Sequence, residues 1–223
     1  MSQMPPALLN LGQAMPGGRE IELKFLVSEA VFEAAQKWEV FGDAPPQPAQ
    51  KLHSVYYDTD DGVLHRHKMV LRMRHQPGCY VMAFKWQDPA CVNPFERGEV
   101  EVEMAEPKLD PSLLGEEIAT IIAKLTEGRE LHPVYATEIT RLTRWVLWGA
   151  SEIEVAFDAG FIVAGKWREP VREIELELKS GEPEALFQLG NALCSTFEVQ
   201  PGLQSKSERA AALHRARNAV APA

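Results

Sequence analysis

Several stretches of this chain alternate charged with apolar residues, and the charged members are of types that could handle a polyphosphate and its counter-ion. Glu20-Ile21-Glu22-Leu23-Lys24 sets two carboxylates and an ammonium at every second position. Arg72 and Arg74 repeat the spacing with guanidinium groups, and acids recur at Glu99, Glu101 and Glu103, at Glu152, Glu154 and Asp158, and at Glu173, Glu175 and Glu177. Side chains two apart on a strand share one face at a separation of roughly 7 Å. Like charges placed so repel unless something binds between them. Magnesium takes hard oxygen ligands in octahedral geometry, so carboxylates on neighbouring strands could share it. Arginine and lysine supply the donors that phosphate oxygens accept, bidentate from the first and point-like from the second. A closed barrel could present both sets to one polyanion. Taken row by row, the alternation equally describes the solvated face of a half-buried sheet, with Ile21, Leu23, Phe25, Leu71, Met73, Ile174, Leu176 and Leu178 as its core. The single sign of several rows favours the ligand site for the set.

The elements that would position these rows follow from period and turn chemistry. A strand runs from Arg19, and Ser28 caps a short helix burying Val31, Phe32, Ala35 and Trp38. Strands are expected at 51–58, 68–75, 79–87 and 97–105, separated by Asp60-Asp61-Gly62, Gln76-Pro77-Gly78 and Asp88-Pro89. A helix over 110–127 starts at Asp110-Pro111 and buries Leu113, Leu114, Ile118, Ile121, Ile122 and Leu125. Further strands fall near 134–148, 151–158, 161–165 and 171–179, and helices at 183–198 and about 205–217. Many strands with few helices between them make an α+β chain with an antiparallel sheet rather than a βαβ one.

Composition narrows the partners. A chain of 223 residues with 45% hydrophobic content supports one large domain, and its net charge of −9 opposes nonspecific nucleic-acid binding. No apolar run is long enough to span a membrane and no signal-like N-terminus is present, so neither a membrane nor a nucleic acid is an expected partner. Cys79, Cys91 and Cys194 are odd in number and form no Cys-x-x-Cys pair, which fits a reducing cytoplasm. Residues 1–18, rich in proline and glycine, read as a disordered leader or a remnant, 19–217 as the domain, and 218–223 as a tail. The histidines lack metal-ligand clustering apart from His65 and His67, read as structural, and the tryptophans read as packing. The sequence carries no glycine-rich phosphate loop, no Gly-x-Ser-x-Gly and no His-Glu-x-x-His.

Glu20-Ile-Glu-Leu-Lys24 resembles the Glu-x-Glu-x-Lys signature of the CYTH superfamily, the triphosphate tunnel metalloenzymes. The likeness continues in order through Tyr56-Tyr57-Asp58-Thr59, Leu71-Arg72-Met73-Arg74, Met82-Ala-Phe-Lys85, Arg97-Gly-Glu99, Thr140-Arg141, Glu154, Asp158-Ala-Gly160 and Glu173-Ile-Glu175-Leu-Glu177-Leu. It implies an eight-stranded antiparallel closed β-barrel with a charged interior, apolar residues facing outward, and flanking helices. It also implies that Lys24, Arg72, Arg74, Lys85, Arg141 and Lys206 hold a triphosphate, and that Glu20, Glu22, Glu154, Asp158, Glu175 and Glu177 form a wall for Mg2+ or Mn2+. The last pair could instead be 173/175, and the Leu-Lys-Ser-Gly that follows favours 175/177. Glu175 or Glu177 would orient the attacking water, with Lys85 also catalytic. Arg144 and Arg209 are near matches to the pattern.

Within that family the chain most resembles bacterial inorganic triphosphatase domains that precede a helical CHAD domain, which implies metal-dependent hydrolysis of inorganic triphosphate and a possible C-terminal CHAD domain in a longer protein. Thiamine triphosphatase is the same chemistry on an organic triphosphate. Class IV adenylate cyclases carry His-Phe-x-Gly before the first strand, where this chain has Ala14-Met-Pro-Gly-Gly. A polyphosphate-binding module that recruits a partner is the non-enzymatic alternative.

Overall fold

The structure is a computed structural model describing residues 18–43, 45–87 and 95–218. The expected leader up to residue 17, the Asp88-Pro89 turn, Cys91 and the tail beyond 218 lie outside the described residues. Strands form at β1 (Gly18–Leu26), β2 (Gln50–Asp58), β3 (Met69–Gln76), β4 (Cys79–Trp86), β5 (Glu96–Met104), β6 (His132–Trp148), β7 (Ser151–Ala164), β8 (Trp167–Ser180) and β9 (Gln200–Pro201). Helices are α1 (Glu29–Ala35), α2 (Val63–Arg66), α3 (Glu116–Thr126), α4 (Pro183–Thr196) and α5 (Lys206–Asn218).

All pairings are antiparallel, in the order β5-β4-β3-β2-β6-β7-β8-β1. The first and last of these join through Gly18↔Glu99 to Ile21↔Glu96, which closes eight strands into a barrel, and β9 adds a short edge to β1. Closure removes the unpaired sheet edge.

The core lies outside this barrel. Leu71, Met73, Met82 and Phe84 pack under Ile118, Ile121, Ile122 and Leu125 of α3. On the other flank Leu23, Phe25, Val155, Phe157, Ile174 and Leu176 pack under Ala35, Trp38, Leu186, Leu189 and Leu193. Strand alternation then turns the charged members of each row inward, because the helices take the apolar face. At one end the inner face is apolar, where Leu52, Ile139, Ile162 and Val171 meet Ala210 of α5.

Two expectations are corrected. The segment 110–127 is not one helix: Asp110 caps a 3-10 turn over Pro111–Leu114, and Gly115, at φ +106°, breaks the backbone before α3 begins. The break rotates Leu113 out of the buried stripe and leaves it 51% exposed. The two strands expected at 151–158 and 161–165 are one, β7, which passes through Gly160 without a turn. A Cβ there would sit 1.9 Å from the Glu138 carbonyl oxygen, so glycine lets β7 lie close against β6. Among the described residues no helix is long and apolar enough to cross a membrane.

Candidate active site

The barrel lumen is a cavity of about 450 Å³. Glu20, Glu22 and Lys24 reach it from β1, Arg72 and Arg74 from β3, Lys85 from β4 and Arg141 from β6. Glu154 and Asp158 of β7, Glu175 and Glu177 of β8 and Lys206 of α5 complete a lining that contains every residue expected from the sequence. The ambiguous third glutamate separates from the pair: Glu173 is wholly buried and absent from the lining, paired with Lys206 and, at 3.3 Å, with Arg209. Arg144 departs from the site altogether and lies over the Phe41 ring at 4.5 Å on the outer face.

Register decides how the carboxylates meet. Glu22 pairs in position with Glu177, and Glu177 with Glu154, so three carboxylates sit abreast on β1, β8 and β7. One level deeper Lys24 opposes Glu175, and deeper still Arg141, Asp158 and Glu173 fall in line. The outer row and the two levels beneath it differ in how their charge is met. Arg141 grips Asp158 with two bonds of 2.7 Å and reaches Glu175 at 2.5 Å. Lys206 pairs with Asp158 at 2.6 Å, with Glu175 at 2.8 Å and with Glu173. Burial would raise Asp158 and Glu175, yet these cations hold both below the usual carboxylate range. Burial, with Glu175 beside it, leaves Glu173 raised despite Lys206.

The outer row is met more thinly. Lys24 bridges Glu22 at 2.9 Å and Glu175 at 3.1 Å, and Lys85 bridges Glu20 at 2.8 Å and Glu99 at 3.1 Å. Lys179 serves Glu177 at 2.5 Å and Glu154 at 3.9 Å. Each lysine is thus divided between two carboxylates. Burial, reinforced by Glu20, pushes Glu177 up to about 7 even with Lys179 beside it.

The basic wall stands across the lumen, since strands four apart in an eight-stranded ring face one another and β3 is four from β8. Arg72 pairs with Glu101 at 2.8 Å and stands 3.6 Å from Glu99. Arg74 has no ion pair among the described residues. Burial, then Arg72 and Arg141, lower it to about 10. Among the described residues, the buried Nε atoms of Arg72 and Arg74 and Oε1 of Glu99 have no hydrogen-bond partner. Buried guanidinium N–H groups left unmet are costly unless a ligand supplies acceptors. The lining holds as many lysines and arginines as carboxylates, so a bound polyanion needs positive charge brought with it.

The carboxylates are of the right chemistry for a hard divalent ion. Ligand atoms of Asp158, Glu173 and Glu175 lie within 4.8 Å of one another, but Arg141 and Lys206 already occupy them. The row Glu22, Glu177 and Glu154, with Glu20 nearby, fits an added cation better. Its side-by-side carboxylates repel, and its most perturbed member is shifted toward protonation.

Sequence reading passed over Lys179, which continues the β8 row beyond Glu177 and looked like the end of the strand. Glu101, one member of an acidic row in the sequence, is brought into the site by its ion pair with Arg72. His67 is structural, its Nδ1 lying 2.9 Å from the Val63 carbonyl oxygen, whereas His65 lines the cavity. Trp86 is the tryptophan of the lining, laid over Gly98, where a Cβ would come within 2.1 Å of its ring.

A family model described as the CYTH domain matches residues 18–211. The chain belongs to the CYTH family. It is 29% identical over 192 residues to an inorganic triphosphatase of Haemophilus influenzae, covering 86% of this chain and 54% of that protein. This CYTH chain therefore spans about half the length of the curated relative it matches. Among solved structures it resembles the PH1819 protein of Pyrococcus horikoshii, with TM-score 0.57, 20% identity and coverage of 85% of this chain and 96% of that one. A Hippeastrum protein named as an adenylyl cyclase, and described as having a dominant triphosphatase activity, matches with TM-score 0.54, 16% identity and coverage of 89% and 95%. These structural likenesses bear on the fold. The segment Ala14 to Gly17, in which the cyclase signature would fall, lies outside the described residues.

Proposed function

We propose that this CYTH domain is a divalent-metal-dependent triphosphatase that cleaves inorganic triphosphate to diphosphate and phosphate within the barrel. The observation that carries the reading is the pairing of a thinly neutralised carboxylate row, Glu22, Glu177 and Glu154, with an unpaired buried Arg74 on the facing side of one lumen. The name of the Haemophilus relative supports the substrate.

Phosphoryl transfer asks chiefly for positioning and charge neutralisation around an in-line nucleophile. Arg72, Arg74 and Lys85 hold phosphate oxygens from one side, and Lys24, Arg141 and Lys206 from the other. Glu20, Glu22, Glu154 and Glu177 are the residues that would hold Mg2+ or Mn2+, which supplies positive charge to the phosphate oxygens. Asp158 and Glu175, expected in the metal wall, keep Arg141 and Lys206 in place instead. As charge on the carboxylates is met, Lys24 and Lys85 become available to the phosphates. A water oriented by Glu177 attacks the terminal phosphorus in line, the bridging P–O bond breaks toward the diphosphate, and the water's protons leave with the phosphate and diphosphate products.

Lys85→Ala and Glu20→Gln test this directly. Each is expected to lower turnover of inorganic triphosphate by about 100-fold or more, in the range of removing a charge-stabilising group. Turnover within a few-fold of the parent in either variant contradicts the assignment.

A further inference from the structure

Strand β8 ends its acidic row on a cation. Lys179 follows Glu175 and Glu177 at the same spacing and lines the cavity with them. Its ammonium leans back along the strand, 2.5 Å from Glu177 and 3.9 Å from Glu154 of β7, and Glu20 of β1 attracts it from the strand on the other side.

The register accounts for this aim. β7 and β8 pair Glu152 with Ser180 and Ile153 with Leu178, which leaves Lys179 as the extra residue of a bulge. Bulges re-aim a side chain. A lysine at a strand end ordinarily carries its charge out to water on its four-carbon stem, and an exposed ion pair there adds little to stability. This ammonium instead bridges carboxylates of two strands inside the lumen. It is also free to leave. Lys24, the other lysine of the outer row, has a side chain only 8% exposed, whereas that of Lys179 is 32% exposed.

Glu20, Glu154 and Glu177 are carboxylates assigned above to the metal. A tethered ammonium and a divalent ion cannot both sit against Glu177 and Glu154 without strong repulsion. We propose that Lys179 is a resident counter-ion that occupies the metal's place in the metal-free chain, so that metal binding is an exchange in which the ion takes the carboxylates and the ammonium swings out to solvent. The inference rests on the metal row of the proposed function and adds the residue that sets its affinity and selectivity. With the ammonium in place, three carboxylates abreast remain partly neutralised before any metal arrives. A sodium or potassium ion brings no more charge than the ammonium and does not displace it, whereas a divalent ion does. The parent's metal affinity is reduced by the fraction of chains in which the ammonium is seated.

Calorimetric titration with Mn2+ at about pH 8, above the proton affinity of Glu177, compares the parent with Lys179→Met, which removes the charge and keeps an unbranched stem, and with Lys179→Arg, which keeps the charge. Lys166→Met, in the turn at the far end of β7 and β8, controls for net charge. The exchange predicts that Lys179→Met binds Mn2+ about tenfold more tightly, with Lys179→Arg and Lys166→Met near the parent. A side chain needed only for folding would weaken binding when lost. Equal or weaker binding by Lys179→Met, or an equal gain from Lys166→Met, overturns the counter-ion. No Mn2+ binding by either the parent or Lys179→Met overturns the metal row itself. Acetylation with a succinimidyl ester reads the exchange in the parent without substitution. Magnesium is expected to raise the labelling of Lys179 severalfold and leave that of Lys166 unchanged; Lys179 labelling that magnesium leaves unchanged or lowers overturns the exchange.

Discussion

Glu22 of β1 and Glu177 of β8 share one register position of an antiparallel pair, so two carboxylates meet side by side inside the barrel with Glu154 on the far side of Glu177. Such pairs oppose folding unless protonated or bridged. Burial and Glu20 raise Glu177 to about 7, so the metal-free folded chain holds a proton there that the unfolded chain releases at ordinary carboxylate pH. The contribution of Glu177 to stability therefore falls as pH rises from about 4.5 to 7 and is level above. A metal competes with that proton. Calorimetric affinity for Mn2+ is expected to rise with pH up to about 7 and then level off, and Glu177→Gln to flatten the rise. A parent affinity independent of pH between 5.5 and 7 removes Glu177 from the metal site.

Arg74 and Arg141 carry the same charge in the same cavity, yet their removal has opposite consequences for folding. Arg74→Met deletes a buried cation without an ion pair and is expected to stabilise the chain by about 1 kcal/mol or more while weakening triphosphate binding. Arg141→Met leaves Asp158 to Lys206 alone and Glu175 to Lys206 and Lys24, and is expected to cost about 3 kcal/mol. Urea unfolding of the two variants checks the sign of each; two losses of similar size contradict the account.

Lys206 links α5 to the barrel through Asp158, Glu173 and Glu175. Lys206→Met leaves those acids buried with less neutralisation, raising their proton affinity. The expected result is a loss of about 3–5 kcal/mol at pH 7 that shrinks as the solution is acidified. Denaturation at pH 5 and pH 7 measures it, and an equal deficit at both contradicts the role.

Gly160→Ala tests the close approach of β7 and β6. A methyl group 1.9 Å from the Glu138 carbonyl oxygen must push the strands apart, at a cost of roughly 1–3 kcal/mol or more. A thermal midpoint equal to that of the parent contradicts the packing described.

The strand rows and the helix positions were legible because alternation and caps are local. Ser28 does cap α1, its hydroxyl accepting from Val31 N–H at 3.3 Å, and α4 begins at the expected Pro183. The inversion of the faces was not legible from pattern: Leu23 and Glu22 alternate identically whether the charged face meets solvent or a lumen, and only the closure of β1 on β5 distinguishes them. Family resemblance supplied it. The break at Gly115 and the passage of β7 through Gly160 depend on backbone torsion and neighbour distance, which residue type alone leaves open. The division of labour among the acids was likewise hidden, because it depends on which cation reaches each of them: Arg141 and Lys206 reach Asp158 and Glu175, and Glu177 is left to Lys179.

Phosphate release from inorganic triphosphate by the purified chain, with Mg2+, with Mn2+ and with a chelator, tests the central claim most directly. The account predicts multiple turnovers that require the metal and stop on chelation. Binding of triphosphate without release under any of these conditions would make the lumen a recruiting site and contradict the triphosphatase reading.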